Sequence, residues 1–254
     1  MAIDQVFYAV VLIVQIQGGK PVGTATGFFY TRDNAVYLVT NRHVVRDEAK
    51  GIAPESLSLR VHKSATDLTQ NDQFTVPLMT SGRSLWHVHP KHPGQPVDVA
   101  VVELDQAALR ANFVVKAVDR SVFLPANIAI LPGQPLMVIG FPRGFSDSRH
   151  NLPIVRNAMV SSAYGVGFDG LPMFLVDANL HPGTSGSPVF TKPSDTFSDV
   201  NGNTLMTTGS PFYFLGVHSA TIGIKLAAGN EDPLGLATVW RAEVIDQIID
   251  NFKK

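Results

Sequence analysis

The chain has 254 residues, 45% of them hydrophobic and 16% charged, which excludes a disordered chain and supports a sizeable core. A formal net charge of -1 with a pI near 6.7 provides no electrostatic footprint for nucleic acid or an anionic membrane. With no cysteine, disulfides, thiolate metal sites and cysteine nucleophiles are excluded, so the core must hold the fold alone.

Residues 7–16 form the first apolar run. Crossing a bilayer takes about 20 apolar residues, and a signal peptide opens on basic residues, where this run is preceded by Asp4 and Gln5. The run therefore reads as a buried first strand, with the cytoplasm as the expected location. Residues 23–30 and 37–45 read as two further strands, the second running into His43, and residues 97–104 as a strand opening with Asp98. Between them lie His87, His89 and His92. A strand places His87 and His89 on one face, as a zinc pair requires, but Pro90, Lys91 and Pro93 break the run and it holds no carboxylate. A solvated loop leading to Asp98 is the better reading, with no metal.

Residues 105–112 show helical periodicity, and residues 117–134, with Pro125, Pro132 and Gly133, read as a crossing between two units. Residues 136–142 open the second unit. The glycine-rich stretch at 165–170 leads into a short strand at 173–176 and not into a helix, so it lacks the anion-binding helix terminus of a dinucleotide site and reads as a turn. Residues 191–211 are polar, contain Asn201-Gly202 and read as a long hairpin insertion. Residues 240–252 place Val244, Ile245, Ile248, Ile249 and Phe252 at helical spacing, which predicts a C-terminal helix packing its apolar face on a barrel. Short Val-, Ile-, Phe- and Tyr-rich runs between Gly, Pro, Asn and Asp breakers make the class all-β.

The chemistry concentrates at Gly183-Thr184-Ser185-Gly186-Ser187-Pro188. A serine in a turn of small residues exposes a hydroxyl beside backbone N–H donors, which acyl transfer needs for nucleophile and oxyanion together. His43 at a strand end and Asp98 at a strand entry each have an ordinary structural reading. Their order His, Asp, Ser with this motif favours a triad. It also differs from the subtilisin order and from the α/β-hydrolases, whose elbow wants glycine where this chain has Ser187.

On these segments the sequence resembles the trypsin-like, chymotrypsin-fold serine peptidases, most of all their cysteine-free bacterial branch with the HtrA proteases and the glutamyl endopeptidases. Residues 23–30, 136–142, 177–183 and 215–219 extend the likeness along most of the chain. The resemblance implies two six-stranded antiparallel Greek-key β-barrels and a C-terminal helix. The first barrel, residues 1–116, would carry His43 and Asp98, and residues 117–134 would link it to the second, residues 135–254, with Ser185. It implies serine endopeptidase activity on a polypeptide without a cofactor: Ser185 attacks, His43 moves the proton, Asp98 orients the imidazole, and the amides of Gly183 and Ser185 form the oxyanion hole.

His218 corresponds to the pocket histidine of glutamyl endopeptidases and of viral peptidases that cleave after glutamine, which implies cleavage after Glu or Gln. Leu180 stands where glutamyl endopeptidases have threonine and makes that wall apolar, so the HtrA-like alternative, a small apolar residue before the scissile bond, stays open. Ser219 and Thr221 would pair their backbone with the substrate as an added strand. His181, beside Pro182, shapes the nucleophile loop. Zymogen-activated relatives carry an aspartate where this chain has Thr184, so the oxyanion loop is expected to be preformed or set by another contact. A catalytically silent peptide-binding module and a dedicated esterase are the other readings of the same residues.

Overall fold

The computed structural model describes residues 3–90, 97–225 and 231–253. The chain opens with a helix: α1 (Ile3–Ala9) occupies the start of the run expected to be a strand, and β1 (Val10–Gln17) begins only after it. Eight consecutive apolar residues from Phe7 carry neither period, and burial of Val6, Ala9 and Val10 at helical spacing decides for the helix.

β2 (Lys20–Arg32) returns along β1 and turns through Asp33-Asn34, both at positive φ, into β3 (Ala35–Thr40), which stops three residues before His43. His43 itself lies on the short helix α2 (Arg42–Val45). β4 (Ser56–His62), β5 (Asn71–Pro77), a small ribbon of β6 (Met79–Thr80) and β7 (Arg83–Ser84), β8 (Trp86–Val88) and β9 (Ala100–Glu103) follow. Asp98 sits in the connection just before β9 and not within the strand. These strands form an antiparallel sheet in the order β5-β4-β1-β2-β3-β9-β8. Among the described residues the sheet of the first half has seven strands, and its end strands, β5 and β8, share no ladder.

Helix α3 (Gln106–Asn112), capped by the Asp105 side chain, closes the first half as expected. In the linking stretch, β10 (Ile128–Ala129) forms a three-stranded sheet with β15 (Thr196–Asp199) and β16 (Thr204–Met206), the two arms of the expected insertion. The second half is a closed barrel, in the order β11 (Pro135–Gly140), β12 (Ile154–Val160), β13 (Met173–Asp177), β18 (Glu231–Arg241), β17 (Phe214–Lys225) and β14 (Pro188–Thr191). The C-terminal helix α4 (Glu243–Phe252) starts after Trp240, which belongs to β18.

Strand alternation builds three cores. In β2, Phe29 points into the first half's own core while Phe28 and Tyr30 point the other way; in β11, Leu136 and Val138 fill the barrel while Met137 and Ile139 face outward. The outward sets meet in a shared core that also takes Val6 of α1 and Val244, Ile245, Ile248 and Ile249 of α4. Each fully buried Phe or Ile stabilises by about 1.5–3 kcal/mol. The halves are therefore joined by a core as apolar as their own interiors, and the cleft between them has fixed walls.

Candidate active site

α2 and the connection before β9 bring His43 and Asp98 together by two bonds. The His43 backbone N–H donates to Asp98 Oδ1 at 2.9 Å, and His43 Nδ1 lies 2.6 Å from Asp98 Oδ2. The carboxylate can only accept, so Nδ1 carries the proton and Nε2 is left as the basic atom. Asn41 Nδ2 holds the Asp98 carbonyl at 2.6 Å, and the Ser219 hydroxyl donates to Asp98 Oδ2 at 2.6 Å. Burial pushes the Asp98 carboxyl up, but the bonds and charge of His43 and the Ser219 hydroxyl outweigh it, and the group sits below the ordinary aspartate range.

Ser185 enters the same cluster through Ser219. Its hydroxyl donates to the Ser219 carbonyl at 3.1 Å, so Ser219 touches the serine with its backbone and Asp98 with its side chain. The loop around Ser185 is closed by Thr184, whose amide and hydroxyl both donate to the His181 carbonyl, at 3.2 and 2.7 Å. Gly183 and Gly186 take φ of +93° and +87°. A Cβ on Gly186 would sit 2.0 Å from the Thr26 carbonyl oxygen, so only glycine allows the loop to pack on β2. Among the described residues neither the Gly183 nor the Ser185 amide donates to a protein acceptor. Two unpaired N–H groups flanking a serine hydroxyl are what an oxyanion requires.

His218 follows on β17, 2% exposed. Its backbone ties the loop around Ser185, accepting from the Gly186 amide and donating to the Ser187 carbonyl, both at 2.9 Å. Its Nδ1 lies 3.3 Å from the Thr238 carbonyl, and burial lowers the ring's pKa to about 4. Leu180 is buried, whereas Thr221 is exposed and pairs with Ala237 of β18.

The histidines of the zinc reading go to separate partners. His87 Nε2 lies 2.7 Å from Glu103 Oε1 and His89 Nε2 lies 2.7 Å from Gln247 Oε1, while His92 falls outside the described residues. Residues 165–170 form a turn ahead of β13. The insertion pairs with the linking stretch, Ile128 against Asp199 and Ala129 against Ser198.

Three contributors were not read from the sequence. The Asn41 side chain and the Ser219 hydroxyl act on Asp98, and Thr26 of β2 bonds to the loop around Ser185. A threonine in a strand is ordinary, and the one available signal is a polar residue one position before the apolar run that starts beyond Gly27.

Residues 25–195 match the trypsin-like peptidase domain family. No curated protein matches the chain. Among solved structures, a serine endoprotease from Yersinia pestis superposes with a TM-score of 0.55 at 13% identity, covering 98% of this chain and 64% of that one. The chain thus spans less than two thirds of that protein's length. The Rv3671c protease of Mycobacterium tuberculosis, in an inactive form, superposes with a TM-score of 0.54 at 17% identity, covering 99% of this chain and 92% of that one.

Proposed function

The chain belongs to the trypsin-like peptidase domain family, and from that premise we propose that it is a serine endopeptidase working through His43, Asp98 and Ser185. The observation that carries the reading is the bonded series His43–Asp98–Ser219–Ser185. Ser185 leaves the Ser219 carbonyl, turns to the free Nε2 of His43 and attacks the scissile carbonyl as its proton passes to the ring. Asp98 holds the ring's tautomer and stabilises the imidazolium. The oxyanion is met by the Gly183 and Ser185 amides, and His43 then protonates the leaving amine. The acyl-enzyme is hydrolysed by the same steps with water as nucleophile.

Labelling with a fluorophosphonate probe tests this. Modification at Ser185 that disappears in Ser185→Ala, together with loss of peptide turnover by about six orders of magnitude, is the expected result. A protein that binds peptides but takes no label is the silent binding module, and ester turnover without peptide turnover is the esterase.

For the residue before the scissile bond, the pocket histidine favours glutamine over glutamate. The Thr238 carbonyl takes the Nδ1 proton, and the buried ring is neutral, so Nε2 presents a lone pair. A glutamine amide N–H can donate to it, and a glutamate carboxylate cannot. A peptide library at pH 8 should show Gln preferred over Glu by about tenfold or more. A profile led by Val or Ala would assign the pocket to its apolar wall at Leu180, and equal cleavage after Glu and Gln would remove the tautomer argument.

A further inference from the structure

The chain lacks the aspartate that relatives use to set the oxyanion loop on activation, yet among the described residues both donor amides are unpaired. What holds them there can be read from the carbonyls of the same peptide units. In a trans peptide the C=O and N–H point in opposite directions, and no described peptide bond is cis. The Gly183 N–H is therefore aimed by whatever holds the Pro182 carbonyl, and the Ser185 N–H by whatever holds the Thr184 carbonyl. Pro182 O accepts from the Arg143 amide at 2.6 Å, and Thr184 O accepts from the Ser187 amide at 3.0 Å.

The Arg143 amide needs its own anchor, because Arg143 sits in a tight turn at a φ of +54°. That anchor is Thr26, fully buried in β2. Its hydroxyl accepts from the Phe141 amide at 3.0 Å, two residues before Arg143, and donates to the Gly183 carbonyl at 2.8 Å. Its backbone amide donates to the Ser185 carbonyl at 2.9 Å, and its own carbonyl is held by the Thr40 hydroxyl at 2.8 Å, at the end of the strand leading to His43. One side chain from the first half thus pins, in the second half, the glycine of the hole and the turn that orients the peptide before it.

We propose that Thr26 is the positioning residue that keeps the oxyanion hole formed, a clamp across the cleft that replaces an activation-dependent ion pair. The proposal rests on the serine peptidase reading above. Thr26→Val keeps the shape, but its side chain can neither donate to Gly183 nor accept from Phe141; Thr26→Ser keeps both bonds. Freed from the clamp, the Pro182–Gly183 peptide can turn its carbonyl toward the hole. The cost falls on the transition state, where the missing donor is felt, and not on ground-state binding.

The test compares wild type, Thr26→Val and Thr26→Ser for kcat and KM on one peptide, and for amide hydrogen exchange over residues 180–187. The expected result is that Thr26→Val loses about 10- to 100-fold in kcat with KM within about twofold. Its nucleophile loop exchanges faster, and Thr26→Ser is restored to near wild type in both readouts. If Thr26→Val does not fold, Thr26→Ala, which leaves space for a water, takes its place. Unchanged kcat, a loss confined to KM, or equal damage from Val and Ser overturns the clamp. If the wild type shows no turnover and no Ser185 labelling, the peptidase reading fails. The exchange comparison then still decides whether Thr26 holds the loop: unchanged exchange in the variant overturns the clamp on its own.

Discussion

At the scale of single residues, the site depends on groups that each face two ways. Ser219 holds Asp98 with its hydroxyl and Ser185 with its carbonyl. His218 ties the nucleophile loop with its backbone and presents a neutral ring from a buried position. That ring makes stability depend on pH with a definite sign. Folded, it resists protonation down to about pH 4, whereas the unfolded chain takes the proton at the ordinary value of 6.5. Above pH 6.5 both states are neutral there and the full stability is present. As pH falls from 6.5 toward 4, only the unfolded state gains a proton, and roughly 3 kcal/mol is lost. Urea midpoints at pH 7 and pH 4.5 should therefore separate more in the wild type than in His218→Leu, and equal separations would refute the assignment.

The residues proposed as the triad stood out at this scale because acyl transfer restricts the residue types and their surroundings: small residues about Ser185, an apolar run leading into His43, another opening beside Asp98. Thr26 was not legible. Its proposed role rests on three bonds that exist only once β2 lies against the second half, and nothing local marks such a threonine.

Among elements, α4 does more than the expected covering of a barrel, because it crosses back to the first half. Asp246, buried on α4, accepts from the Tyr30 hydroxyl at 2.8 Å and from Arg120 Nε at 2.5 Å, and lies 3.3 Å from Arg32 Nη1. Phe252 stacks on His87 with ring centroids 3.8 Å apart. Burial, then the charge and hydrogen bond of Asp246, push the Tyr30 phenol well above its ordinary range, so it stays a donor throughout the working pH range. Asp246→Ala leaves that buried hydroxyl unpaired and should cost about 2–3 kcal/mol. A lowering of the melting temperature by about 5–10 °C checks it, and an unchanged melting temperature contradicts it. The helix's apolar stripe was readable from its period. The partner it packs on was not, since period reports that a face is buried and never against what. The same limit hid α1, whose apolar residues satisfy no single period until tertiary burial selects one.

At the scale of the whole molecule, the β class and the order of segments followed from the sequence pattern, while the closure of one sheet and the openness of the other depend on register, which the sequence carries only weakly. The shared core unites the halves: Phe28, Tyr30 and Val101 from one and Ile139, Phe190 and Trp240 from the other belong to the same core as the apolar face of α4. Segments 1–134 and 135–254 made separately should therefore fail to fold, and urea unfolding followed by tryptophan fluorescence and by far-UV circular dichroism should give one coincident transition. Two separated transitions would show that each half is stable alone.

The return of α4 to the first half also sets when the candidate site can take its shape. During synthesis, a nascent chain that has emerged as far as Ser185 already carries His43, Asp98 and Ser185, but its Tyr30 lacks the Asp246 carboxylate and its shared core lacks Ile245, Ile248 and Ile249. The cleft acquires its fixed geometry only when the stretch through Phe252 has left the ribosome. Under the peptidase reading proposed above, a chain halted short of α4 holds the residues of the site without the framework that sets their positions.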